Sequence, residues 1–240
     1  AVKARKHVFM EKPVAVDPVG ARRIIVAGKQ AASMGLSVVA GTQRRHQWNY
    51  LEIYEYFKAG MIGDFVAGYA YWNGGKLWHV NPNAKWSEME SMLRNWVNWM
   101  WLSGDHIVEQ HVHNLDVINW FKGGYPVKAV GFGSRQRRIT GDQFDNFSID
   151  FVYDDDTHIH SMCRQINGTA RNVSEYIRGT KGYTDCARSL HLNDGTLVAE
   201  TENQRASTDE EKAALKEKYN SPYVQEHIDL VNAIRRDEPL

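Results

Sequence analysis

Residues 103–120 read SGDHIVEQHVHNLDVINW, and this stretch decides how the rest of the chain is interpreted. Three histidines and three carboxylates stand among apolar residues that are typical of a buried helix. At about 100° per residue, one stripe of such a helix carries His106, Glu109, Gln110, His113 and Val117, with Asp116 at its edge. Buried ionisable groups lower stability unless they are paired, so their density here indicates function. The alternative is one paired core histidine beside a polar helix start.

Composition excludes several classes of function. The chain has 240 residues, enough for one large or two modest domains. Lys plus Arg and Asp plus Glu both total 29, which argues against a partner such as nucleic acid or an anionic membrane. Cys163 and Cys186 are too few for a disulfide framework, and no apolar run of about 18 residues predicts a membrane span. The short basic clusters are expected to be solvated or to face a substrate: Arg44–Arg45 and Arg135, Arg137 and Arg138.

The first 41 residues predict a β-α-β unit. The apolar runs His7–Met10 and Leu36–Ala40 read as strands, and Asp17-Pro18 begins a helix that ends near Met34. Unbroken apolar strands on either side of a helix indicate a parallel sheet covered on both faces. The inner face of the helix is predicted to carry Ala21, Ile24, Ile25 and Ala31.

A region dense in tryptophan follows. A helix is predicted over Tyr50–Ala59 and a strand over Asp64–Asn73. Six of the eight tryptophans then fall within 30 residues: Trp72, Trp78, Trp86, Trp96, Trp99 and Trp101. Indoles beside polar groups suit stacking on a flat ligand such as a sugar ring or nicotinamide. Packing of a long loop onto the domain is an equally good explanation for any one of them.

From Val127 onward the composition predicts strands joined by turns at 154–156 and 193–195. Polar residues recur with period two, so one face of the sheet is expected to be half-wet: Asp150, Tyr153, His158 and His160. A capping box at Thr208-x-x-Glu211 and the pair Ser221-Pro222 predict two further helices.

Two motifs are considered and set aside. The chain contains no Gly-x-Gly-x-x-Gly sequence, so the usual phosphate-binding loop is absent from it. A metal ion held by His106, Glu109 and His113 on one helical face is geometrically feasible, but the spacing fits no zinc motif, and no metal is predicted.

Four segments together resemble the glucose–fructose oxidoreductase / inositol dehydrogenase / MocA family. VFMEKP at Val8–Pro13 is similar to its Glu-Lys-Pro strand end, and Ser103–Asp116 to its Asp-x-x-x-His-x-x-Asp helix. Tyr176–Gly182 is similar to its Gly-Thr-Lys-Gly turn, and the segment Tyr223–Pro239 to its Glu-His-x-x-Leu helix. In this order and spacing the resemblance covers nearly the whole chain.

The resemblance implies a mixed α/β fold in two parts. Residues 1–41 would be the C-terminal remnant of a Rossmann dinucleotide-binding domain. Residues 42–240 would form a substrate-binding α+β domain with an open, mostly antiparallel sheet, incomplete at its C-terminus. The chain would be an internal piece of a longer protein and, on its own, is expected to be inactive. Its location is expected to be cytoplasmic by default, with export left open.

By the same resemblance the protein is an NAD- or NADP-dependent oxidoreductase that acts on a hydroxyl carbon of a sugar, glycoside or cyclitol. Lys12 would sit between nicotinamide and substrate, His113 would accept the hydroxyl proton, and Glu109 would orient the substrate. These chemical types suit hydride removal, which needs a base near neutral pH and a cation beside the developing alkoxide. The expected cofactor-binding residues are Glu11, Lys12, Pro13, Gln43 and Arg44. The expected substrate-binding residues are Trp78, Trp99, Asp105, Glu109 and His113.

Two departures from the family pattern bear on the substrate: glutamate replaces aspartate at Glu109, and Ser103-Gly104-Asp105 replaces a glycine triplet. The first alternative is a glycosidase of the same family that oxidises its sugar transiently and eliminates the aglycone. The second is a non-catalytic ligand-binding member, which the presence of both Lys12 and His113 disfavours. The expected partners are a small sugar or cyclitol and further copies of the chain, bound through the sheet, with neither nucleic acid nor membrane.

Overall fold

The structure is a computed structural model that describes residues 1–238. The α-helices are α1 (Pro18–Ser33), α2 (Trp48–Lys58), α3 (Glu88–Arg94), α4 (Met100–Ser103), α5 (Asp105–Glu109), α6 (Val112–Lys122), α7 (Glu202–Arg205), α8 (Asp209–Lys218) and α9 (Pro222–Arg236). The strands are β1 (Val8–Met10), β2 (Val38–Ala40), β3 (Phe65–Gly74), β4 (Lys128–Ser134), β5 (Asn146–Val152), β6 (His158–Gln165), β7 (Asn172–Gly179), β8 (Gly182–Thr184), β9 (Ser189–Leu192) and β10 (Leu197–Glu200). Short 3-10 helices lie at Val2–Ala4, Gln43–His46 and Trp96–Asn98.

The N-terminal β-α-β unit forms as predicted. Strands β1 and β2 pair in parallel, and α1 connects them after Asp17 accepts a hydrogen bond from the N–H of Gly20. The predicted inner face of α1 is partly wrong, because Ala31 is buried but Ile25 is 56% exposed. The physical reason is that two three-residue strands cover only part of a 16-residue helix.

The larger sheet has eight strands in the order β10-β9-β8-β7-β3-β6-β5-β4. Strands β3 and β6 pair in parallel, and the other neighbours pair antiparallel. The prediction of a mixed α/β fold with a mostly antiparallel sheet is therefore confirmed. The hairpin turn at 154–156 is confirmed as well, since the N–H of Tyr153 donates to the carbonyl of Thr157.

Helices α2 and α6 cover one face of this sheet and enclose the hydrophobic core. The core includes Tyr50, Ile53, Val117, Ile118, Phe121, Ile159, Ile177 and Leu190. Tyr153 also lies in this core, where its hydroxyl donates to Asn119 Oδ1 at 2.5 Å, so its assignment to the wet face is wrong. It follows Val152 directly, and the alternation of the strand turns it toward the helices.

The opposite face of the sheet is open. His158 and His160 are exposed there, and Asp150 is half-buried beside His158, as predicted. A row of rings crosses four strands, with centroid distances of 5.2 Å from Tyr69 to Tyr176, 5.6 Å from Tyr176 to Tyr183 and 5.2 Å from Tyr183 to His191. We call these four residues the tyrosine ladder.

The predicted continuous helix over residues 103–120 is broken into the end of α4, α5 and α6. Gly104 and Asp105 both have positive φ (74° and 70°), which no right-handed helix accommodates. A side chain at Gly104 would also stand 2.9 Å from Val108, so this position requires glycine. The single stripe drawn from helical periodicity is therefore wrong, although the predicted burial holds for each of its ionisable members His106, Glu109 and His113.

The C-terminal helices match the pattern. The capping box between Thr208 and Glu211 is present in both directions and begins α8. Helix α9 packs on the 3-10 helix Gln43–His46 and on β2. Of the segment 223–239 expected to resemble the family's last helix, Pro239 lies outside the described residues, as does the final residue, Leu240. Within residues 1–238, no helix combines the length and apolar character needed to cross a bilayer.

Candidate functional site

Lys12 stands at the carboxyl end of β1 and connects the β-α-β unit to α5. Its Nζ donates to the backbone carbonyl of Glu109 at 2.5 Å and to Glu109 Oε1 at 2.6 Å. The Lys12–Pro13 peptide bond is cis. Two residues that are 97 positions apart in sequence are thus in direct contact, at the place where the resemblance predicts a catalytic lysine.

His113 lies in the first turn of α6 and is 7% exposed. Its ring faces Trp72, with centroids 6.1 Å apart. Burial, together with the positive charges of Lys12 and Arg44, lowers the pKa of His113 to about 3. The imidazole is therefore neutral at physiological pH and free to accept a proton.

Several buried polar atoms of these residues have no partner among the described residues: Glu109 Oε2, His113 Nδ1 and Gln43 Oε1. Buried polar atoms in folded proteins are nearly always hydrogen-bonded, and exceptions mark places where a ligand or water belongs. Because one carboxylate oxygen of Glu109 is held by Lys12 and the other is unbonded, this residue is suited to receive a hydroxyl group.

A cleft of about 690 Å³ adjoins the site. Lys12, Ala40, Arg45 and Trp120 are among the residues that line it. Ligands of open parallel sheets bind at the carboxyl ends of the strands, and this cleft lies at that end of β1 and β2. Lys12 borders this cleft and also contacts Glu109.

Arg44 is held inside the protein rather than presented to the cleft. It forms an ion pair with buried Glu175 and lies over the rings of Tyr50 and Trp72, with its guanidinium carbon 5.8 and 5.7 Å from their centroids. The expectation that the Arg44–Arg45 cluster is solvated or substrate-facing is therefore wrong for Arg44. Glu175, which was not predicted, is the cause: burial raises its pKa, and the adjacent guanidinium opposes that rise.

The other predicted cofactor residues occupy the same end of the small sheet. Gln43 donates through Nε2 to the hydroxyl of Tyr223 at 3.2 Å. Glu11 is exposed, and its carboxylate stands where a side chain at position 41 would be, which explains Gly41. Pro13 is half-buried beside Lys12. The structure brings this set together around the carboxyl ends of β1 and β2.

Asp105 does not join Lys12 and His113. One oxygen of its carboxylate accepts from the N–H of His106 at 2.6 Å and the other from the N–H of Phe144 at 2.9 Å. Both oxygens are thus used to hold the start of α5 against the loop between β4 and β5. The expectation that Asp105 binds substrate has no support in this geometry, because its backbone partners occupy it.

The same loop corrects a second expectation. Arg138 was expected to be solvated or substrate-facing, but it is buried and donates to Asn98 Oδ1 at 3.2 Å and to Gln165. Asp145 accepts from three consecutive backbone N–H groups at positions 136–138, which lowers its pKa although desolvation opposes the effect. The loop between β4 and β5 therefore holds the start of α5 and the segment around Asn98 in place.

The two tryptophans expected at the substrate differ in environment. Trp78 is 47% exposed and meets Trp96 edge to face, with centroids 6.5 Å apart. Trp99 is half-buried, and its carbonyl accepts from the hydroxyl of Ser103 at 2.8 Å. Asn98 fixes the backbone carbonyl of Trp78 at 3.1 Å, so the exposed indole stands on a constrained loop.

The neighbouring histidines have other surroundings. His106 is buried against Phe147, with centroids 5.0 Å apart, and burial lowers its pKa to about 3. His111 shares a hydrogen bond with Ser161 Oγ at 2.7 Å, and burial lowers its pKa to about 4. In the described part of the chain, no group of three or more His, Cys, Asp or Glu side chains is arranged to hold a metal ion.

Comparison with known proteins places this geometry in context. No protein-family model matches the chain. It is 28% identical over 137 residues to 2,7-anhydro-N-acetylneuraminate hydratase of Escherichia coli, covering 55% of this chain and 32% of that protein. It is 31% identical over 120 residues to inositol 2-dehydrogenase of Acidothermus cellulolyticus, covering 50% of this chain and 29% of that protein. The chain thus spans about a third of the length of these relatives.

Among solved structures, scyllo-inositol dehydrogenase of Lactobacillus casei with bound NAD(H) and scyllo-inositol has a TM-score of 0.65 at 20% identity. The match covers 100% of this chain and 66% of that one. The fold is that of the Rossmann-type dehydrogenases that carry a C-terminal α/β domain. The solved structures and curated proteins to which the chain is similar are of the glucose–fructose oxidoreductase / inositol dehydrogenase / MocA type, in agreement with the resemblance drawn from the sequence.

Proposed function

We propose that the protein is an NAD(P)-dependent oxidoreductase that moves a hydride between nicotinamide and a hydroxyl carbon of a sugar, glycoside or cyclitol. The observation that carries the proposal is the contact of the Lys12 ammonium with Glu109 beside a buried, neutral His113. Residues 1–41 would complete a dinucleotide-binding domain, and residues 42–240 would bind the substrate.

Lys12 and His113 divide the work of oxidation. The substrate hydroxyl lies between them, and the Lys12 ammonium stabilises the alkoxide that develops as its proton departs. His113 accepts that proton, and the negative charge left on the oxygen favours the protonated imidazole at that moment. The carbinol C–H bond then breaks with both electrons leaving as hydride, and the carbon becomes a carbonyl.

Glu109 positions both partners. One oxygen holds Lys12 at 2.6 Å, and Oε2 is left to accept a hydrogen bond from a substrate hydroxyl. A vicinal diol, as in a sugar or cyclitol, could place one hydroxyl on Glu109 and its neighbour between Lys12 and His113. This arrangement favours polyhydroxylated substrates over simple alcohols, because a lone alcohol would leave Oε2 unbonded.

The nicotinamide, when bound, supplies the carbon that receives the hydride. Lys12 and Pro13 at the end of β1 are the residues best placed to border it, with Glu11 on the solvent side. Gln43 would contribute through Oε1 and the Nε2 hydrogen that Tyr223 leaves free, whereas Glu175 holds Arg44 away from the cleft. The named activity of the Acidothermus relative and the NAD(H) and scyllo-inositol in the Lactobacillus structure support this choice of cofactor and substrate class.

A second candidate is favoured by one observation, the similarity to a protein named as a hydratase, a reaction without net oxidation. The same three residues could oxidise a glycoside, allow elimination and return the hydride. A non-catalytic ligand-binding role is disfavoured by the intact contact between Lys12 and Glu109.

The test is a panel assay on the full-length gene product. Incubation with NAD⁺ or NADP⁺ and myo-inositol, scyllo-inositol, glucose or a nitrophenyl glycoside is followed at 340 nm and by product analysis. Net NAD(P)H with a keto product supports the proposal, and aglycone release without net NAD(P)H supports the second candidate. Binding of cofactor with neither product would overturn both.

We further propose that copies of the chain associate through the open face of the eight-stranded sheet. The tyrosine ladder gives this face an apolar, ring-lined centre, and charged groups such as Asp150 and Arg178 stand around it. Aromatic rings surrounded by polar residues are characteristic of protein–protein interfaces.

A further inference from the structure

His113 is flanked in sequence by two residues that are tied to the sheet. Two positions before it, His111 shares a hydrogen bond of 2.7 Å with Ser161 on β6. One position after it, Asn114 donates through Nδ2 to Glu175 Oε1 on β7 at 2.6 Å. The base itself makes no such bond through Nδ1, so its placement depends on these neighbours.

The two anchors form one row across the sheet. Ala70 on β3 pairs with Ser161 on one side and with Glu175 on the other, so all three side chains point toward α6. Ala70 is fully buried, and its methyl group is small enough to let the first turn of α6 lie directly on the strands. The first turn of α6 therefore packs on the row Ser161–Ala70–Glu175 and is bonded to the two ends of that row.

Local sequence does little to fix the start of α6. The residue at its N-cap is His111, which makes no side-chain cap to the helix. The preceding helix α5 ends at Glu109, and the N–H of His111 donates to the carbonyl of His106, five positions back rather than four. The first N–H groups of α6 donate to the carbonyls of Gln110 and His111, so it is the side chains of His111 and Asn114 that tie this turn to the sheet.

Glu175 is fully engaged in this role. Oε1 accepts from both Arg44 and Asn114, and Oε2 accepts from the hydroxyl of Tyr50 at 3.1 Å. A buried carboxylate with three donors, one of which is its ion-pair partner, is held rigidly in place. It also keeps Arg44 beside Trp72, the ring that His113 faces.

We propose that Glu175 and Asn114, with Ser161 and His111 as a second anchor, are positioning residues that fix His113 for proton transfer. The inference rests on the proposed function, in which His113 is the base. None of these four residues touches the substrate in this scheme. A displacement of about 1 Å in a catalytic group can cost about 10²-fold in rate, so the loss of one anchor has a measurable consequence.

Asn114→Ala is the first test, in the full-length gene product with NAD⁺ and the panel compound of highest turnover. It should lower kcat by about 10- to 100-fold while the Kd for NADH changes less than about threefold. Glu175→Gln keeps an amide oxygen that can accept from Asn114, so it should retain more turnover than Glu175→Ala. If Glu175→Ala does not fold, the comparison of Glu175→Gln with Asn114→Ala serves the same purpose.

Asn119→Ala is the matched control. Asn119 lies in the same helix and accepts a hydrogen bond of 2.5 Å from Tyr153, but at the other end of α6 from His113. Its loss should lower Tm as much as Asn114→Ala does and leave kcat within about twofold. In protein labelled with [¹⁵N]histidine, Asn114→Ala should shift the ring signals of His113, and Asn119→Ala should not.

The outcomes separate the two hypotheses. If His113→Ala keeps its turnover, the proposed function is wrong and the positioning role falls with it. If His113→Ala loses turnover but Asn114→Ala keeps both kcat and the His113 ring signals, only the positioning role is overturned. Equal losses of kcat in Asn114→Ala and Asn119→Ala would also overturn it, because they would reflect general destabilisation.

Discussion

The imidazole of His113 is useful because the protein keeps it uncharged. Burial lowers its pKa to about 3, and the charges of Lys12 and Arg44 act in the same direction. A histidine with so low a pKa is unprotonated throughout the physiological pH range. It is, however, a weak base while no substrate is bound. In the proposed reaction the developing alkoxide would restore that basicity, since a negative charge within a few ångströms favours the imidazolium ion.

The first residue-scale prediction concerns turnover. His113→Ala should lower kcat by about 10²- to 10⁴-fold, the usual contribution of a general base, with the Kd for cofactor little changed. It should also remove the acidic limb of the pH–rate profile for oxidation, which reports the free base and which a pKa of about 3 places near pH 3. Steady-state kinetics and a fluorescence titration with NADH measure both. His158→Ala, at an exposed histidine on the open sheet face, is the control.

A variant without His113 that kept most of its turnover and its acidic limb would contradict the assignment. The residue would then belong to the core, and the proton acceptor would have to be sought elsewhere.

The second residue-scale prediction concerns acid stability. The pKa values of His106, His111 and His113 are lowered to about 3, 4 and 3, against 6.5 in an unfolded chain. The unfolded chain therefore binds more protons below pH 6.5, so stability is full above that pH and falls as the pH drops toward 4. Each histidine contributes a slope of about 1.4 kcal/mol per pH unit in the free energy of unfolding.

Urea unfolding at pH 4.5, 5.5 and 6.5 measures that slope. His106→Phe should reduce the slope by the contribution of one histidine, about 1.4 kcal/mol per pH unit. The substitution is suitable because the His106 ring packs on Phe147 and makes no hydrogen bond. A slope that His106→Phe does not alter would contradict the burial of a neutral imidazole.

At the scale of single elements, the sequence predicted that residues 103–120 are helical and buried, but it did not predict that the helix is interrupted. Burial followed from composition, because apolar residues on several sides of the segment leave little of it for water. The breaks did not follow, because a periodic pattern assumes constant geometry while Gly104 and Asp105 adopt positive φ. The pair Ser103-Gly104 was the available signal.

Sequence reasoning found the three residues proposed for catalysis but missed what holds them. Lys12 and Glu109 belong to short motifs that can be read along the chain, whereas Glu175 and Asn114 meet only through the pairing of β3 with β7. The signal that could have indicated it was Glu175, a single carboxylate within the β-rich run 173–178, which suggests a buried charge with a partner elsewhere in the chain.

The element-scale prediction concerns the tryptophan segment after β3. Trp78→Ala should raise KM for the sugar by about 10-fold and leave Tm nearly unchanged, because the indole is largely exposed yet stands on a fixed loop. Trp99→Ala should raise KM and also lower Tm, since this indole is half-buried. Steady-state kinetics and thermal melts give both values.

Trp48→Ala is the control, since Trp48 stacks on Tyr219 at 4.3 Å outside this segment. Its KM should equal that of the unaltered protein. If Trp78→Ala and Trp99→Ala only lower Tm, these indoles pack the loop and the stacking role is refuted.

At the scale of the whole molecule, the open sheet face is the feature that one copy of the chain leaves uncovered. Tyr176→Glu would place a charge at the centre of the tyrosine ladder, 5.2 and 5.6 Å from the rings of Tyr69 and Tyr183. We expect it to convert an oligomer to a monomer in sedimentation velocity, with the secondary structure retained. Tyr125→Glu is the control, because Tyr125 is exposed and lies outside the ladder.

An oligomer that survives Tyr176→Glu, or an unaltered protein that sediments as a monomer, would contradict association through this face. The ladder would then be an exposed ring surface of a single chain.

The parallel pairing of β3 with β6 has a consequence for how the chain acquires its structure. Ala67 pairs with His158 and Gly68 with Ile177, so both neighbours of this central strand are about 90 to 110 residues further along the sequence. During synthesis β3 leaves the ribosome long before either partner strand has been made. Until then, the backbone N–H and C=O groups along both of its edges have no strand to pair with. The contacts on either side of His113 can form only after those late strands have been made, so the most distant pairings in the sheet hold the residue that we propose as the base.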